Sequence, residues 1–338
     1  MRQIVITRSG KPDVLKIREV EEPSPGRGEV KIDVMAAGVN FADILARKGI
    51  YPDAPKKPCV VGYEVSGLVE SVGEDVEPSL IGKPVVAGAR FGGYSEKLIT
   101  PFSFVVRKPE SLSFEQAAAI PVNYLTAYQL LVVMGGLKKG EKLLIHNAGG
   151  GVGLAALEMA KHIGAVTFGT ASSWKHTFLK ENGLDYVLDY RTQDWLQEIK
   201  KLTGGKGIEV IIDPIGGKNT WKNYRALSRT GRLGLFGLSA AARTGWGAKI
   251  SLAKTVFRMP RFHPVRLMNA NKGIFGVNIG HMWGDEDRMR VWMKEVMRGV
   301  DEGWIRPHVD RVFPFEEAAE AHRYLEGRKN IGKVVLVP

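Results

Sequence analysis

The sequence predicts an α/β protein that combines a doubly wound parallel sheet with a smaller, mainly β domain. The first observation is the order of an apolar run, a glycine cluster and a helical pattern in residues 142–164. The second is that strand-like and helical patterns alternate through residues 165–236, as they do in a parallel sheet covered by helices. The third is that residues 1 to about 120 instead hold short apolar runs broken by Gly and Pro.

The glycine-rich stretch has the layout of a dinucleotide-binding turn. Residues 143–145 form a short apolar run without helical period, which is typical of a buried strand. The turn then runs Ala148-x-Gly150-x-x-Gly153 into a helical pattern. Gly150 allows the backbone to approach a pyrophosphate, and Gly153 allows the helix to pack closely on the strand. The helix N-terminus offers free N–H groups to phosphates. The alternative is a turn that only separates strand from helix.

Further strands follow this turn. Apolar runs at 165–170, 186–189, 208–213 and 232–236 favour four more strands. A helical pattern at 195–202 lies among them and stops at a Gly-Gly pair. These elements complete the predicted parallel sheet.

The end of the second strand indicates which cofactor binds. An NAD site usually places Asp or Glu there, to bind the ribose 2′-hydroxyl. Residues 169–175 contain no acid and offer Ser172, Ser173 and Lys175. Hydroxyls and a cation suit a 2′-phosphate, so we predict NADPH. The serines are also suited to cap the next helix, and both roles are compatible because a cap leaves Lys175 available.

Length and composition bound the class of protein. The 338 residues suggest two domains, and 44% hydrophobic and 25% charged residues are ordinary for a soluble protein. No apolar run reaches transmembrane length, and the N-terminal apolar run is too short for a signal peptide. One cysteine, Cys59, excludes an internal disulfide and a multi-cysteine zinc site. We therefore expect a cytoplasmic protein.

The formal net charge of +12 is partly concentrated in residues 240–272. That stretch holds seven Lys and Arg residues, no Asp or Glu, and interleaved aromatic residues. It favours a solvated, partly helical insertion beside an anionic cofactor. The alternative is a surface for membranes or nucleic acid.

Sequence patterns near both ends of the chain predict that these two segments form one domain together. Alternating residues at 30–34 and apolar runs at 65–72 and 85–87 favour strands. Residues 333–337 favour a final strand, which we expect to return to the N-terminal β domain. A helical pattern at 114–134, interrupted by Pro121, leads into the cofactor domain. We predict one domain from residues 1–122 and 273–338, and a second from 123–272.

Several motifs along the chain carry a resemblance to a known family. They are residues 37–43, 62–64 with Gly67, 146–153, 169–172, 175–176, 180–183, 189–190, 213–217, Asn330 and 332–334. At these motifs the chain resembles the medium-chain dehydrogenases/reductases. Within them it is most similar to the zinc-free quinone oxidoreductases, in the branch of the synaptic-vesicle membrane protein homologue. The resemblance covers essentially the whole chain and implies a GroES-like catalytic domain plus a Rossmann domain.

The chain departs from the zinc alcohol dehydrogenases of this superfamily. They place a Cys after the early strand and a His in a Gly-His-Glu motif, where this chain has Asn40 and Tyr63. Their four-cysteine zinc lobe is missing, and the seven histidines lack paired metal spacing. Zinc needs N or S ligands in tetrahedral geometry, so we predict no metal.

The resemblance also implies which residues hold the cofactor, from both domains. It favours a homodimer through edge strands near residues 267–279. The implied residues are Phe41, Ala42 and Asp43 beside the nicotinamide, Gly150, Gly151, Val152 and Gly153 at the pyrophosphate, Ser172 and Lys175 at the 2′-phosphate, Tyr190 and Pro214 in the adenosine half, Phe236, Gly237, Ser239, Phe275, Gly276 and Val277 at the nicotinamide approach, and Arg328 and Asn330 from the C-terminal segment.

The favoured function is hydride transfer from NADPH to quinones or other α,β-unsaturated carbonyls, without zinc. The protein would mainly position both partners and exclude water. We predict that Asn40 and Asn123 face the substrate carbonyl; the alternative is local hydrogen bonding. Tyr51 is a candidate proton donor, with ring packing as its alternative. His146 is expected to support the strand end rather than act as a base.

A rival function belongs to another class. The basic aromatic stretch and the vesicle-protein resemblance favour an NADPH-binding protein that associates with a weakly anionic membrane surface or a partner, with little turnover. Nucleic-acid binding is a third and weaker hypothesis that rests on charge alone, and we do not expect it. It predicts steeply salt-dependent association.

Overall fold

The computed structural model describes residues 1–241 and 247–338 of the chain. Arg243 and Trp246, which belong to the predicted basic aromatic stretch, lie outside the described residues. The strands are β1 Arg2–Ile6, β2 Leu15–Glu19, β3 Glu29–Val39, β4 Cys59–Val60, β5 Glu64–Val72, β6 Pro84–Gly88, β7 Lys97–Pro101, β8 Val105–Arg107, β9 Lys142–His146, β10 Val166–Ala171, β11 Tyr186–Asp189, β12 Ile208–Asp213, β13 Leu227–Leu235, β14 Gly273–Gly276, β15 Val309–Pro314 and β16 Lys333–Val337.

Helices form where the sequence predicts them after the glycine turn, at Gly151–Ile163, and at Trp195–Leu202. The interrupted pattern at 114–134 divides into two helices because Pro121 begins the second one, which continues as a π-helix over Gln129–Val133. The helices are α1 Phe41–Lys48, α2 Phe114–Ala117, α3 Pro121–Tyr128, α4 Gly151–Ile163, α5 His176–Glu181, α6 Trp195–Leu202, α7 Lys218–Ala226, α8 Gly247–Phe257, α9 Pro264–Ala270, α10 Glu286–Asp301 and α11 Ala318–Glu326.

The chain forms two compact units. Unit 1 comprises Met1–Leu125 and Gly280–Pro338, and unit 2 comprises Thr126–Ile279. The sequence predicts boundaries after residues 122 and 272. The second boundary differs because β14, at Gly273–Gly276, pairs with β13 and therefore extends the sheet of unit 2.

Unit 2 contains a six-stranded parallel sheet. Its strand order is β11-β10-β9-β12-β13-β14, and every pairing is parallel. This order reverses between β9 and β12, which is the point where such sheets bind dinucleotides. Buried side chains of β9 and β12, including Leu144 and Ile211, pack with Trp195 and Ile199 of α6. The predicted Rossmann architecture is confirmed.

Unit 1 is built mainly on antiparallel pairing, with one parallel pair between β15 and β16. One sheet has the order β15-β16-β3-β5-β6-β8, with β7 also paired to β3, and a smaller sheet has the order β2-β1-β4. Its core gathers apolar side chains from both ends of the chain, such as Ile4, Val30 and Leu336. Strand β16 pairs antiparallel with β3, so the predicted return of the C-terminal segment is confirmed.

Among the described residues, the helices are too short or too polar to cross a lipid bilayer.

Candidate functional site

The glycine turn after β9 brings backbone segments too close together for side chains at some of its positions. Gly150 caps the N-terminus of α4, and the first turn of that helix carries no acidic side chain. A Cβ at Gly153 would lie 2.5 Å from the carbonyl oxygen of Asn147 and 2.6 Å from that of Ala148. Because both neighbours are backbone atoms, only glycine fits there, as the sequence predicts. Asn147 itself adopts a positive φ of 56°, which the sequence motif did not indicate.

Lys175 lies directly against this turn. A Cβ at Gly149 would lie 2.7 Å from Lys175 Cδ and 3.7 Å from its Nζ. The Lys175 side chain is only 5% exposed, and its ammonium lies 4.9 Å from the centre of the Trp174 ring. A cation therefore stands beside the N-terminus of α4, where phosphate groups are favoured.

Ser172 meets Tyr190 where two parallel strands end. β10 and β11 pair with Ala171 opposite Asp189, so the residues that follow them are neighbours. The two hydroxyl oxygens are 3.3 Å apart. Ser172 starts a 3₁₀ turn but its side chain makes no capping hydrogen bond. Its hydroxyl therefore faces Tyr190 instead of capping a helix.

Arg191 extends this group, and sequence reasoning missed it. Its guanidinium lies 5.9 Å from the centre of the Tyr190 ring. Its backbone N–H donates to Asp189 Oδ1 at 2.9 Å, so the carboxylate at the end of β11 already accepts a hydrogen bond. The only signal in the sequence was its place directly after Tyr190.

The remaining predicted residues of unit 2 also lie at the carboxyl ends of strands. The loops after β12 and β13 meet closely, because Ser239 donates from its backbone to the Pro214 carbonyl at 2.9 Å. A Cβ at Gly237 would lie 2.9 Å from the same carbonyl oxygen. The group comprises Pro214, Phe236, Gly237, Ser239, Phe275, Gly276 and Val277. With the glycine turn and Ser172, they outline one edge of the sheet.

His146 has a structural role, as the sequence predicts. It is 1% exposed, and its nitrogens contact Thr170 Oγ1 at 3.0 Å and Asn223 Oδ1 at 2.7 Å. Asn223 donates in turn to Asp213 Oδ2 at 2.8 Å. That contact directs the Asn223 oxygen to His146, so Nε2 carries the ring proton. Burial lowers the pKa of His146, and the ring stays neutral.

In unit 1, Asn40 belongs to a buried ionic network. Asn40 Nδ2 donates to Glu64 Oε1 at 2.8 Å, and Asn40 Oδ1 accepts from Lys333 Nζ at 2.7 Å. Lys333 also donates to Glu64, which accepts a further hydrogen bond from the Val122 backbone at 2.7 Å. Glu64 is 0% exposed and Lys333 is 3% exposed. Both ends of the Asn40 amide are thus engaged inside unit 1.

The same network bears on the zinc question. The positions that hold Cys and His in zinc dehydrogenases carry Asn40 and Tyr63 here, and the Lys333 ammonium binds both Asn40 and Glu64. Asn and Tyr in place of Cys and His, with an ammonium already bound to the Glu64 carboxylate, do not fit a divalent cation. Within residues 1–241 and 247–338, no cluster of three or more His, Cys, Asp or Glu side chains is arranged to hold a metal.

Asp43 is a scaffold residue. It is 0% exposed and accepts from the Asn40 backbone at 2.8 Å, which completes a capping box on α1. It also accepts from the Gly62 backbone at 3.2 Å and from the Tyr94 hydroxyl at 2.9 Å. Burial nevertheless raises the pKa of Asp43 to about 7. Its carboxylate is enclosed, whereas Phe41 and Ala42 in the same turn are partly exposed.

The other predicted residues of unit 1 differ in their exposure and in the hydrogen bonds that they make. Asn123 Nδ2 donates to the Ala119 carbonyl at 3.0 Å, which is the local hydrogen bonding held open as its alternative. Tyr51 is half-buried and meets the Tyr63 ring edge to face. Asn330 is buried and donates to the Gly332 carbonyl at 2.8 Å, whereas Arg328 is exposed at the end of α11.

The donor groups of unit 2 fit a dinucleotide. Glycines without room for a Cβ expose the backbone at the N-terminus of α4, and Lys175 adds a cation beside them. Hydroxyls and a second cation, Arg191, follow the neighbouring strands. N–H groups, cations and hydroxyls are the partners that phosphates prefer.

Comparison with known proteins agrees with this architecture. Residues 26–110 match the alcohol dehydrogenase GroES-like domain, and residues 182–336 match the zinc-binding dehydrogenase family. The human synaptic vesicle membrane protein VAT-1 homolog is 37% identical over 341 residues, covering 100% of this chain and 86% of the relative. Human quinone oxidoreductase is 31% identical, covering 100% of this chain and 98% of the relative.

A solved structure shares the complete fold. A mycobacterial protein complexed with NADPH superposes with a TM-score of 0.86 at 32% identity, covering 100% of both chains.

Proposed function

This chain belongs to the medium-chain dehydrogenase/reductase family, in the branch of the quinone oxidoreductases and VAT-1 homologues, and we propose that it reduces quinones or other α,β-unsaturated carbonyls with NADPH. The family makes it an oxidoreductase with a nicotinamide cofactor. The observation that carries the choice of NADPH is the group formed by Ser172, Lys175 and Tyr190 beside the glycine turn. It offers hydroxyls and a cation to a 2′-phosphate and no carboxylate to a ribose hydroxyl.

The reaction requires two electrons and two protons for each quinone. When bound, NADPH supplies a hydride, and a proton from solvent completes the conversion of quinone to hydroquinone. The residues of unit 2 hold and orient the cofactor: the α4 N-terminus takes the pyrophosphate, and Lys175 takes the 2′-phosphate. Residues at the ends of β13 and β14, such as Phe236 and Phe275, keep water from the reacting face.

The proposed reaction needs no zinc. A quinone or enone is electrophilic enough to accept hydride without a Lewis acid. The Lys333 ammonium, bonded to Asn40 and Glu64, supports this part of the proposal because it opposes a metal cation at that position.

Product analysis tests the proposal. The purified protein is incubated with NADPH and 1,4-benzoquinone, and in parallel with a simple enone such as but-3-en-2-one. The expected result is one hydroquinone, or one saturated ketone, formed for each NADPH consumed, with no effect of a strong zinc chelator. No product from either substrate, or complete loss of product with the chelator, would contradict it.

A second candidate function rests on the exposed surface of α8 and α9. Ile250, Phe257 and Met268 are 69%, 86% and 73% exposed. The segment also exposes Arg258, Arg261 and Arg266. Exposed apolar side chains among cations suit an anionic membrane surface. This function is an NADPH-binding protein that associates with membranes and turns over little.

Sedimentation with anionic liposomes tests this second function. A triple variant with Arg258, Arg261 and Arg266 replaced by Ala should lose the retention that the wild type shows. A charge-matched control replaces Lys11, Lys16 and Arg18, which are exposed in unit 1. Wild-type protein that stays in the supernatant at low salt would rule out the membrane function.

We propose further that the protein is a cytoplasmic homodimer. In the described part of unit 2, β14 pairs only with β13, so one edge of that strand is open to a second copy. Light scattering after size-exclusion chromatography measures the mass directly. A mass equal to one chain would contradict the dimer.

A further inference from the structure

Tyr63 presents a buried hydroxyl without a well-formed hydrogen bond. The residue is 8% exposed, and Tyr63 Oη makes no hydrogen bond of normal geometry among the described residues, although the Tyr51 side chain lies beside it. Leaving a buried hydroxyl unpaired destabilises a fold, so such a group needs an explanation. The residue is not loosely held, since its carbonyl accepts from the Ala89 backbone at 2.8 Å and Glu64 begins β5 directly after it.

The polar groups around this stretch have already used their bonds. Asn40, Glu64 and Lys333 bind one another. Asp43 is occupied by the backbone of Gly62, the residue before Tyr63, and by two further donors. Asn40 therefore has little left to offer a substrate oxygen, whereas the Tyr63 hydroxyl, with the Tyr51 side chain beside it, can turn its proton to a substrate oxygen.

The surroundings of Tyr63 suit a flat, apolar substrate. Its ring meets the Tyr51 ring at 6.3 Å and the Phe91 ring at 5.3 Å between centroids. Aromatic rings in these arrangements pack well against other planar groups. Burial, with the nearby Asp43 charge and Tyr51, raises the pKa of Tyr63, so the phenol keeps its proton throughout the physiological range.

We propose that Tyr63 is a catalytic residue that donates a hydrogen bond to the carbonyl oxygen of the quinone or enone. This inference rests on the proposed function. Hydride addition places negative charge on that oxygen, and a donor in a dry environment stabilises the developing charge. The Tyr63 hydroxyl keeps its own proton, and the proton of the product comes from solvent. The tyrosine thus takes part of the role that a metal has in zinc dehydrogenases.

The variant Tyr63→Phe tests the inference through two readouts that move in opposite directions. Replacing an unpaired hydroxyl by an apolar group of the same shape should leave the unfolding midpoint unchanged or raise it. The value of kcat/KM for 1,4-benzoquinone should fall by about 10-fold to 100-fold, because the oxygen loses its donor. The dissociation constant of NADPH should stay the same.

Tyr324→Phe is the matched control. The Tyr324 hydroxyl donates to Asp310 Oδ2 at 2.8 Å, so this variant loses a made hydrogen bond. Its unfolding midpoint should fall while kcat/KM stays constant. A Tyr63→Phe variant that behaves in the same way would overturn the inference, because it would reveal a purely structural hydroxyl.

Two further measurements separate the possible failures. If Tyr51→Phe lowers kcat/KM while Tyr63→Phe does not, the donor is Tyr51 and the inference is wrong. Binding of 1,4-naphthoquinone, measured by calorimetry without turnover, should weaken in Tyr63→Phe. A wild-type protein that neither binds nor reduces these quinones would overturn the proposed function as well, whereas active wild type with an equally active Tyr63→Phe overturns the role of Tyr63 alone.

Discussion

The hydroxyl of Ser172 lies 3.3 Å from that of Tyr190, although 18 residues separate them in the chain. The parallel register of β10 and β11 brings them together, because Ala171 pairs with Asp189. Two hydroxyls lie at adjacent strand ends, with Lys175 against the neighbouring glycine turn. We propose that this group selects a phosphate rather than a ribose hydroxyl. The first prediction concerns this selection.

Lys175→Ala should weaken NADPH binding and leave NADH binding nearly unchanged. A hydrogen bond to a charged group is worth about 1.5–3 kcal/mol, which corresponds to roughly 10-fold to 150-fold in the dissociation constant of NADPH. Titration calorimetry with both cofactors measures the difference. Lys180→Ala, an exposed lysine of α5, is the control. Equal losses for both cofactors would show that Lys175 does not recognise the 2′-phosphate.

Gly153→Ala should damage the cofactor site through the backbone. The added Cβ would lie within 2.6 Å of two carbonyl oxygens, so α4 must move away from β9. We expect a stability loss of about 1–3 kcal/mol and a larger loss of cofactor affinity. Gly273→Ala, whose Cβ would meet its nearest atom at 3.5 Å, is the matched control. Urea unfolding and calorimetry measure both effects, and unchanged NADPH affinity in Gly153→Ala would refute this reading of the turn.

The fold and the glycine turn could be predicted because their signals are local. Apolar runs, helical period and glycine spacing lie within a few residues of one another, and the strands 186–189, 208–213 and 333–337 have the predicted bounds. The unit boundary near 273 was harder to predict, because the pairing of β14 with β13 depends on contacts that sequence patterns do not encode.

The candidate site was less predictable, because its contacts join residues that are far apart in the chain. Asn40 looked available for a substrate, but Glu64 and Lys333 engage its amide from distant parts of the chain. The unpaired hydroxyl of Tyr63 is likewise visible only once the packing around it is known. Residue type indicated the capacity for hydrogen bonding, and the fold decided how much of it was used.

Lys333→Met should be strongly destabilising. The variant leaves the Glu64 carboxylate buried without its cation, which typically costs about 3–5 kcal/mol in the free energy of unfolding. The double variant Glu64→Gln, Lys333→Met should recover much of this loss. Lys142→Met, which breaks a partly exposed pair with Glu209, should change stability by under about 1 kcal/mol. Equal effects of the two single variants in urea unfolding would contradict a buried ionic network.

Asp43 and His322 should give opposite pH dependences of stability. Burial raises the pKa of Asp43 from 3.8 to about 7, so from pH 4 to 7 the folded state holds a proton that the unfolded chain has released, and stability falls as pH rises. Burial lowers the pKa of His322 from 6.5 to about 3, so stability falls as pH drops below 6.5. The Tyr94 hydroxyl, 2.9 Å from Asp43 and 3.3 Å from His322, lies between them.

His322→Gln should therefore remove the loss of stability that His322 causes below pH 6.5. The contribution of Asp43 to the pH dependence should stay unchanged. Going from pH 6.5 to 4.5, the variant should gain stability relative to wild type by about 2–3 kcal/mol. Urea unfolding of both proteins at the two pH values measures this difference, in which the other carboxylates cancel. Parallel pH profiles for variant and wild type would mean that His322 does not stay neutral in the folded state.

The most direct test of the central claim is the initial rate of cofactor oxidation with 1,4-benzoquinone, followed through the near-ultraviolet absorbance of the reduced nicotinamide, with NADPH and NADH compared at equal concentrations. We predict quinone-dependent oxidation of NADPH, with kcat/KM for NADPH at least about 10-fold above that for NADH, as one charge-assisted phosphate contact implies. NADH oxidised as efficiently as NADPH, or no quinone-dependent oxidation of either, would contradict the claim that this chain is an NADPH-dependent quinone reductase.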